Sequence, residues 1–449
     1  MPTTISNMSN STSYDGLLKD VYLPTLTETV FNDAKFTAQI QQTTSNIDYE
    51  GQRVRHAWGT QNSAGIQAHG EGGDYAKPVP VKGKQGWEQL KYFTSYLELT
   101  GPVIKAARSS RGTYSPAVAR HFKTNILAQK NFFERMLMGN GDGKLAVWTD
   151  ADVTGTGEST AYDVTGDAFF DTQFIEPGIY IEVRNPTFNT PTLRTAIDGT
   201  NAYATVFGIT KGDKAAGTRG TMTLTESMSA NVAQNDWICR YGAYSSGGTF
   251  QEMNGIGSLV TDGSSNSETT NNFLYTWPSG NTSGLARTSY TYLTSYMKDF
   301  ADAQLDEESL IDALLYMEFQ YQASPKMLLV DPLAMKYYFT NVKDDRRFNT
   351  MSAMNWTGGY TGLGIQLGSR QLMLTDLGSM QRGYIFMIDP ADFAFATMSN
   401  GWEWVLGDSG NVLVQSHTAD KKFAAAENYM QFVCYDPQKQ MKGYSVATS

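Results

Sequence analysis

Cysteine is almost absent from these 449 residues, and the two present, Cys239 and Cys434, stand far apart in the chain. Two cysteines build neither a disulfide scaffold nor a four-sulfur zinc site, so both read as buried apolar residues. Histidine is nearly as scarce. The four, at 56, 69, 121 and 417, are not spaced as a helical metal pair, and no H-E-x-x-H occurs. No G-x-S-x-G elbow anchors nucleophilic hydrolysis. No run of about 18 apolar residues is long enough for a spanning helix. Residues 1–13 lack the basic start and apolar stretch of a secretory signal, which fits synthesis in a reducing cytoplasm.

What is present is the composition of a folded protein, 41% hydrophobic and only 18% charged. At roughly 150 residues per domain the length predicts about three domains or lobes. Abundant Tyr and Phe, with Gly, Ser, Thr and Asn in the connections, point to a β-rich chain with many turns. The net charge of -10 repels nucleic acid phosphates unless a local basic surface overrides it. That charge is uneven: about +4 over 1–144, about -8 over 145–290 and about -6 over 291–449. Such a gradient suits identical copies meeting head to side, although an ordinary scatter of solvated charge accounts for it equally well.

Leu26, Val30, Ala34 and Ala38 recur at four-residue steps, which predicts an amphipathic arm helix within 17–42. Val54, His56 and Trp58 alternate with Arg53, Arg55 and Ala57 in a strand pattern, and a matching strand follows at Lys91–Thr100. Between them, residues 59–86 hold seven glycines with Pro78 and Pro80. Connections of this length are rare where about 4–6 residues is usual. The segment is predicted to extend as a two-stranded flap, and since an isolated hairpin is marginal in water it needs another surface to lie on. An adjacent copy of the chain is the natural support.

Residues 115–138 give the clearest helix. Ser115 is a plausible N-cap and Pro116 suits the first helical position, while Val118, Phe122, Ile126, Phe133 and Leu137 form one stripe and Gly139 terminates it. At about 1.5 Å per residue it spans roughly 35 Å. From 145 to 285 the composition turns to Thr, Gly, Asn and Ser, with β-like pieces at 178–184, 202–209, 220–225 and 237–241. These predict an inserted antiparallel sheet or barrel followed by a polar linker over 263–284. The last third alternates in an α/β manner: a helix over 292–320, a strand at 327–330 stopped by Asp331-Pro332, and a short helix at 333–339. Paired strands at 365–367 and 371–374 follow, then strands at 384–388, 402–406 and 424–435. No repeat of a solenoid or propeller is evident.

Motifs for chemistry fail on their own terms. Residues 139–144, GNGDGK, resemble a phosphate loop, but Met138 replaces the first glycine and Leu145 the magnesium-binding hydroxyl. A flexible helix end explains them better. Asp150, Asp152 and Thr154-Gly155 look like the front of a calcium loop whose twelfth position, Ala161, offers no carboxylate. Arg53, Arg55 and Trp58 carry only a faint nucleic-acid signal, and a solvated strand face explains them more simply.

Polar arm, glycine-rich flap, spine helix, inserted β domain and terminal α/β lobe follow one another across nearly the whole chain. That order, with YLELTGPVIKAAR at 96–108, LLVDPLAMKY at 328–337 and the stretch 368–389 before Pro390, resembles the major capsid proteins of tailed bacteriophages. The resemblance implies the α+β HK97-type capsid fold: an N-terminal arm over 1–50, an extended β-hairpin loop (E-loop) over 51–95, and a peripheral domain with the spine helix from 96–144 and 411–449. It further implies an inserted β-rich domain over 145–284 and an axial domain over 285–410. It implies a virion protein that is not an enzyme, with no cofactor, metal or membrane. Such a chain, made in the bacterial cytoplasm, self-assembles into hexamers and pentamers of an icosahedral head enclosing double-stranded DNA without sequence-specific binding. Scaffolding, portal and decoration proteins would be its further partners. Any scaffolding segment is expected to be separate or already removed.

The inter-subunit contacts are expected at Arg53, Arg55, Trp58, Lys77, Lys82 and Lys84 in the flap and at Asp344, Arg346 and Arg347 in the lobe. In some members of the family a flap lysine is joined to a neighbour's asparagine, a position that Lys77, Lys82 or Lys84 could occupy. Two other readings stay open. An encapsulin-like nanocompartment shell is opposed by the inserted domain and the length. A β-rich carbohydrate-binding or hydrolytic protein, favoured by the many Tyr and Trp, would need a deep aromatic cleft with paired carboxylates.

Overall fold

The computed structural model describes residues 36, 40–43, 53–61, 65–66, 68–75, 77–100, 115–141, 143–148, 161–165, 174–185, 192–193, 203–210, 220–225, 236–244, 251–262, 291–343, 363–367, 370–380, 383–398, 402–406, 414–415 and 420–447. Its body is organised by one long strand, Lys421–Cys434, in which Lys422, Ala424, Ala426, Asn428, Met430, Phe432 and Cys434 are buried in turn. The period of two is that of a strand with one covered face. One edge pairs antiparallel with the whole of Lys91–Thr100, from Lys421 opposite Thr100 to Met430 opposite Lys91. The other edge is shared by Phe393–Thr397, Glu403–Trp404 and Val414–Gln415, and Gln41–Thr43 adds in parallel to Phe393–Thr397.

The spine helix α1 (Ser115–Met138) lies on the covered face. Phe133, fully buried, sits 5.3 Å from the Phe395 ring, and Phe132 meets Phe93 edge-on at 6.3 Å. The Gly139 N–H closes the helix on the Arg135 carbonyl at 3.0 Å. Residues 251–262, with the short helix α2 (Ile256–Leu259), return beneath that end. There the Gly257 N–H donates to the Gly139 carbonyl at 3.1 Å. Gly255 is required by this approach, because a Cβ there would lie 2.1 Å from the Gly139 oxygen.

The inserted segment closes on itself. Trp237–Arg240, Lys144–Trp148, Ala161–Thr165, Gly220–Leu224, Ala204–Thr210 and Tyr180–Asn185 pair in that order, and Tyr180–Asn185 pairs back to Trp237–Arg240. Thr192–Leu193 hangs on the same strand. All the pairings are antiparallel. Trp148, Ile181, Val183, Val206, Met222, Leu224 and Ile238 are buried in one cluster within it. Closure removes the exposed edges that an open sheet of this size would leave.

The third sheet runs Tyr296–Asp299, Met441–Tyr444, Ile385–Ile388, Met327–Val330, Arg370–Asp376, Leu363–Leu367. Helices α3 (Glu307–Tyr321) and α4 (Pro332–Lys343) pack on the face bearing Leu328, Val330, Leu372, Leu374, Ile385 and Met387. The opposite face, with Met327, Leu329, Phe386 and Ile388, merges with the core around α1. Burial on both faces explains why these two strands read as unbroken apolar runs. Asp306 caps α3, its Oδ1 accepting from the Ser309 N–H at 3.0 Å.

Several readings need correction. The helix expected over 292–320 begins only at Glu307, since a 3-10 turn (Thr291–Leu293) and the strand Tyr296–Asp299 come first. Ala301 and Asp302, at φ 51° and 59°, break the helical path between them. Gln41–Thr43 is a strand, not the end of an arm helix, and the rest of that predicted helix lies outside the described residues apart from Phe36 and Ile40. Gly83 and Gly86 fall inside the strand Lys82–Gln89, so the flap's second strand was hidden in the glycine count. Lys91–Thr100 pairs with Lys421–Cys434, not with the first flap strand. The strand read at 424–435 is followed by a further one, Met441–Tyr444, which enters the third sheet beside Ile385–Ile388. Sheet membership also redraws the lobes: Phe393–Thr397 and Glu403–Trp404 belong with the body, and 251–262 packs under the spine helix. The polar linker over 263–284 lies outside the described residues.

Phe133→Ala removes a ring from the helix–sheet contact and is expected to cost about 3–5 kcal/mol. Phe207→Ala, on an exposed barrel position, should stay within about 0.5 kcal/mol. Urea unfolding of the two variants checks this, and similar midpoints would contradict the packing described.

Candidate assembly surface

Arg53–Gln61 and Lys82–Gln89 form a two-stranded antiparallel ribbon that shares no ladder with the three larger sheets. Pairing runs from Arg53 opposite Gln89 to Gln61 opposite Lys82, with a slip between Gly59 and Gln61. At its far end the chain turns through 70–73, where the Gly73 N–H donates to the Gly70 carbonyl at 3.0 Å and Gly72 takes φ 78°. Only glycine adopts that conformation at no steric cost. Around this tip Ile66 is 93% exposed, Tyr75 89% and Val81 69%. A single exposed apolar side chain is ordinary, but three on one narrow ribbon form an apolar patch.

The root is built differently. Val54 and Leu90 are buried with Ala394, Ala396 and Val433, and Tyr435 packs against them. Glu88, opposite Val54 in register, is also buried and accepts from the Asn254 side-chain amide. The Asn254 backbone N–H donates to Gln431 Oε1 at 2.9 Å, and Gln431 Nε2 donates to the Gln89 carbonyl at 3.1 Å. Flap, spine-helix support and central strand are thereby tied in one polar cluster. Burial pushes the Lys91 amino group at this root down to about 8, while the Glu88 carboxylate pulls it the other way.

Of the residues singled out in the sequence, Arg53, Arg55 and Trp58 take register positions opposite Gln89, Trp87 and Lys84. Lys82 stands opposite Gln61, and both it and Lys77 are exposed. The structure thus brings six of the nine onto the flap, whereas Asp344, Arg346 and Arg347 lie outside the described residues. The phosphate-loop resemblance is not realised: Lys144 is buried and its Nζ lies over the Trp237 ring at 5.5 Å. The calcium-like stretch lies outside the described residues. Among the described residues no three His, Cys, Asp or Glu side chains are arranged to hold a metal ion, and no described helix is long and apolar enough to cross a membrane.

No protein-family model matches the sequence, and no curated protein does. Solved structures do. The chain is similar to a chain of the cyanophage A-1(L) capsid asymmetric unit, at 8% identity and a TM-score of 0.44, with 91% of this chain and 93% of that one covered. It is similar also to a chain of the capsid of the native GTA particle, at 7% identity and a TM-score of 0.42, with 100% and 94% covered. An encapsulin complex from Synechococcus elongatus PCC 7942 matches over 34% of this chain and 54% of that one, at 12% identity and a TM-score of 0.21.

A second charged joint, not legible in the sequence, couples the spine helix to the barrel. Arg135 pairs with Glu252 in the interior, and Arg135 and Arg240 lie over the Phe132 ring at 5.2 and 4.5 Å. Burial, then the nearby Arg135, lowers the Arg240 guanidinium below its ordinary value, while Glu252 and Glu176 oppose the shift. More than a hundred positions separate Arg135 from Glu252, so no local spacing announces the pair.

Lys91 carries a pH signature. The folded chain releases its proton near pH 8, while an unfolded lysine holds it to about 10.4. Between those values the unfolded state binds more protons, so stability rises with pH. The urea midpoint should therefore increase from pH 7.5 to 9.5, and Lys91→Met should flatten that rise. An equal slope in both proteins would sink the assignment.

Proposed function

We propose that this chain is a shell-forming subunit, the major capsid protein of a tailed bacteriophage with an HK97-type architecture. In this reading identical copies close into sixfold and fivefold rings and then into a head around double-stranded DNA. The chain acts by assembly and not by catalysis. The observation that carries it is the flap: a ribbon rooted by buried polar and apolar contacts whose tip offers Ile66, Tyr75 and Val81 to solvent. In a lone molecule such a tip loses free energy, since each such side chain gains roughly 1.5–3 kcal/mol when it is covered. Laid on an adjacent copy, it contributes that to every contact, and repetition around a closed shell multiplies weak contacts into a strong one. The exposed Lys77 and Lys82 flank this apolar tip and set its polar rim.

The mixed architecture supports the same reading. Spine helix and central strand give a rigid body, and the third sheet with α3 and α4 gives a lobe whose two flanks differ, as rotationally repeated contacts require. The net charge of -10 suits a container that holds DNA without gripping its phosphates.

Purified wild-type protein is expected to form closed, regular particles in electron micrographs. Replacing 62–81 by Asn-Gly, a two-residue hairpin turn, should leave a folded protein that sediments as small species. Ile66→Asp with Tyr75→Asp should reduce assembly in the same direction while unfolding at the wild-type urea concentration. A wild-type chain that remains a single molecule at every concentration would end the proposal.

A further inference from the structure

The barrel strand Trp237–Arg240 ends in a turn that reaches the spine helix. The Ala243 N–H donates to the Arg240 carbonyl at 3.0 Å, and Gly242 supplies the φ of 87° that the turn needs. Arg240 is thereby set against α1, its guanidinium 4.5 Å from the Phe132 ring. Between this turn, α1, residues 251–252 and the strand Lys91–Thr100 lies a cleft of about 440 Å³. Sites for small ligands measure about 300–1,000 Å³.

The polar groups on its wall do not satisfy one another. Asn125 Oδ1 accepts twice, from Ser95 Oγ at 2.9 Å and from Gln129 Nε2 at 2.5 Å. Among the described residues this leaves Gln129 Oε1 without a donor, and Glu252, bonded to Arg135 through Oε1, keeps Oε2 without one. Both side chains are more than nine-tenths buried. Donors are left over as well, since neither Asn125 Nδ2 nor the Arg240 guanidinium has an acceptor among the described residues. Polar groups left unmade away from water are costly, and here both kinds stand together. The mouth of the cleft is aromatic. Tyr241, in the turn, is 51% exposed and lies 4.8 Å from Tyr203, which lies 5.3 Å from Tyr180, itself 50% exposed.

We infer that this cleft binds a neutral saccharide, a disaccharide or trisaccharide, with the tyrosines at its mouth as an outer platform. A hydroxyl both donates and accepts, so adjacent sugar hydroxyls answer the two oxygens and the two nitrogen groups together. An anion answers only the nitrogen groups and meets the Glu252 carboxylate, while a cation answers only the oxygens and meets Arg240 and Arg135. An apolar ligand answers none of them. The apolar faces of sugar rings suit tyrosine, which combines a broad apolar body with a polar tip. Glu252 is the one carboxylate among the described residues lining the cleft, so no pair stands ready to hydrolyse a glycosidic bond, and the sugar is held unchanged. The site goes beyond the shell-subunit reading and does not depend on it, because one molecule supplies every group.

Isothermal titration of the full chain with maltose, cellobiose, lactose and diacetylchitobiose tests the site. At least one of these is expected to bind in the millimolar range and, at saturation, to raise the urea midpoint. Gln129→Leu and Arg240→Met should each weaken that sugar about fivefold or more, as the loss of a hydrogen bond does. Tyr241→Ala, at an exposed position, should weaken it too while unfolding at the wild-type urea concentration, so its loss of binding cannot come from misfolding. Pyrophosphate and spermidine, which stand for the two charged alternatives, should leave the sugar in place. A chain that binds none of the four sugars, binding that is unchanged in all three variants, or displacement by either charged probe would overturn the inference. The shell reading stands or falls separately, on whether closed particles appear in micrographs.

Discussion

The strand Lys421–Cys434 sets where every other part of the body can be. Its buried face must be covered, and α1 covers it through Phe133 and the residues around it. Its edges must be paired, and one is taken along ten residues by Lys91–Thr100, the continuation of the flap's second strand. Flap direction is therefore a consequence of sheet register. A slip of one residue would turn Phe93 outward and Tyr92 inward, exposing one face and burying hydroxyls on the other. The half-exposed outer face shows the other side of that constraint, with Tyr92 against Tyr429 and Tyr96 stacked on Phe423.

Legibility in the sequence followed the range of the forces involved. Ser115–Met138 and Met327–Val330 were readable because their signals are local: a stripe and a terminating glycine in one, whose first residue is the Ser115 read as its cap, and four apolar residues before Asp331-Pro332 in the other. The barrel was readable as a kind of structure but not as a closed ring. Closure depends on Tyr180–Asn185 meeting Trp237–Arg240, some fifty positions away, and Lys144–Trp148 and Ala161–Thr165 were not seen at all. Lys82–Gln89, KGKQGWEQ, has neither alternation nor β-branched residues, and only its partner strand makes it a strand. Met441–Tyr444 is similar, four residues whose place is fixed by Ile385–Ile388 and Tyr296–Asp299 on its two sides.

The candidate surface divided in the same way. Glycine density pointed to the flap, and the lysines and arginines chosen there are on it. The apolar tip residues Ile66, Tyr75 and Val81 were missed, because hydrophobic side chains count as interior until a structure shows them outside. The acidic run at 306–308 was visible as charge, but not that Asp306 caps α3 by accepting from the Ser309 N–H.

The polar root of the flap follows from what a projecting ribbon has to do. An apolar root alone would hold the ribbon to the body, yet apolar contacts are non-directional and tolerate rocking and sliding. Hydrogen bonds restrict angle as well as distance. Glu88, Asn254, Gln431 and the Gln89 carbonyl link three separate pieces of chain, so a change in flap angle breaks bonds in all three. Breaking them leaves buried polar groups unmade, which costs about 1–3 kcal/mol each. The tip lies some twenty residues from this cluster along the chain, so a few degrees at the root displace Ile66 and Tyr75 by ångströms. A contact repeated many times in a closed object tolerates little such error, and a directional root is the device that limits it.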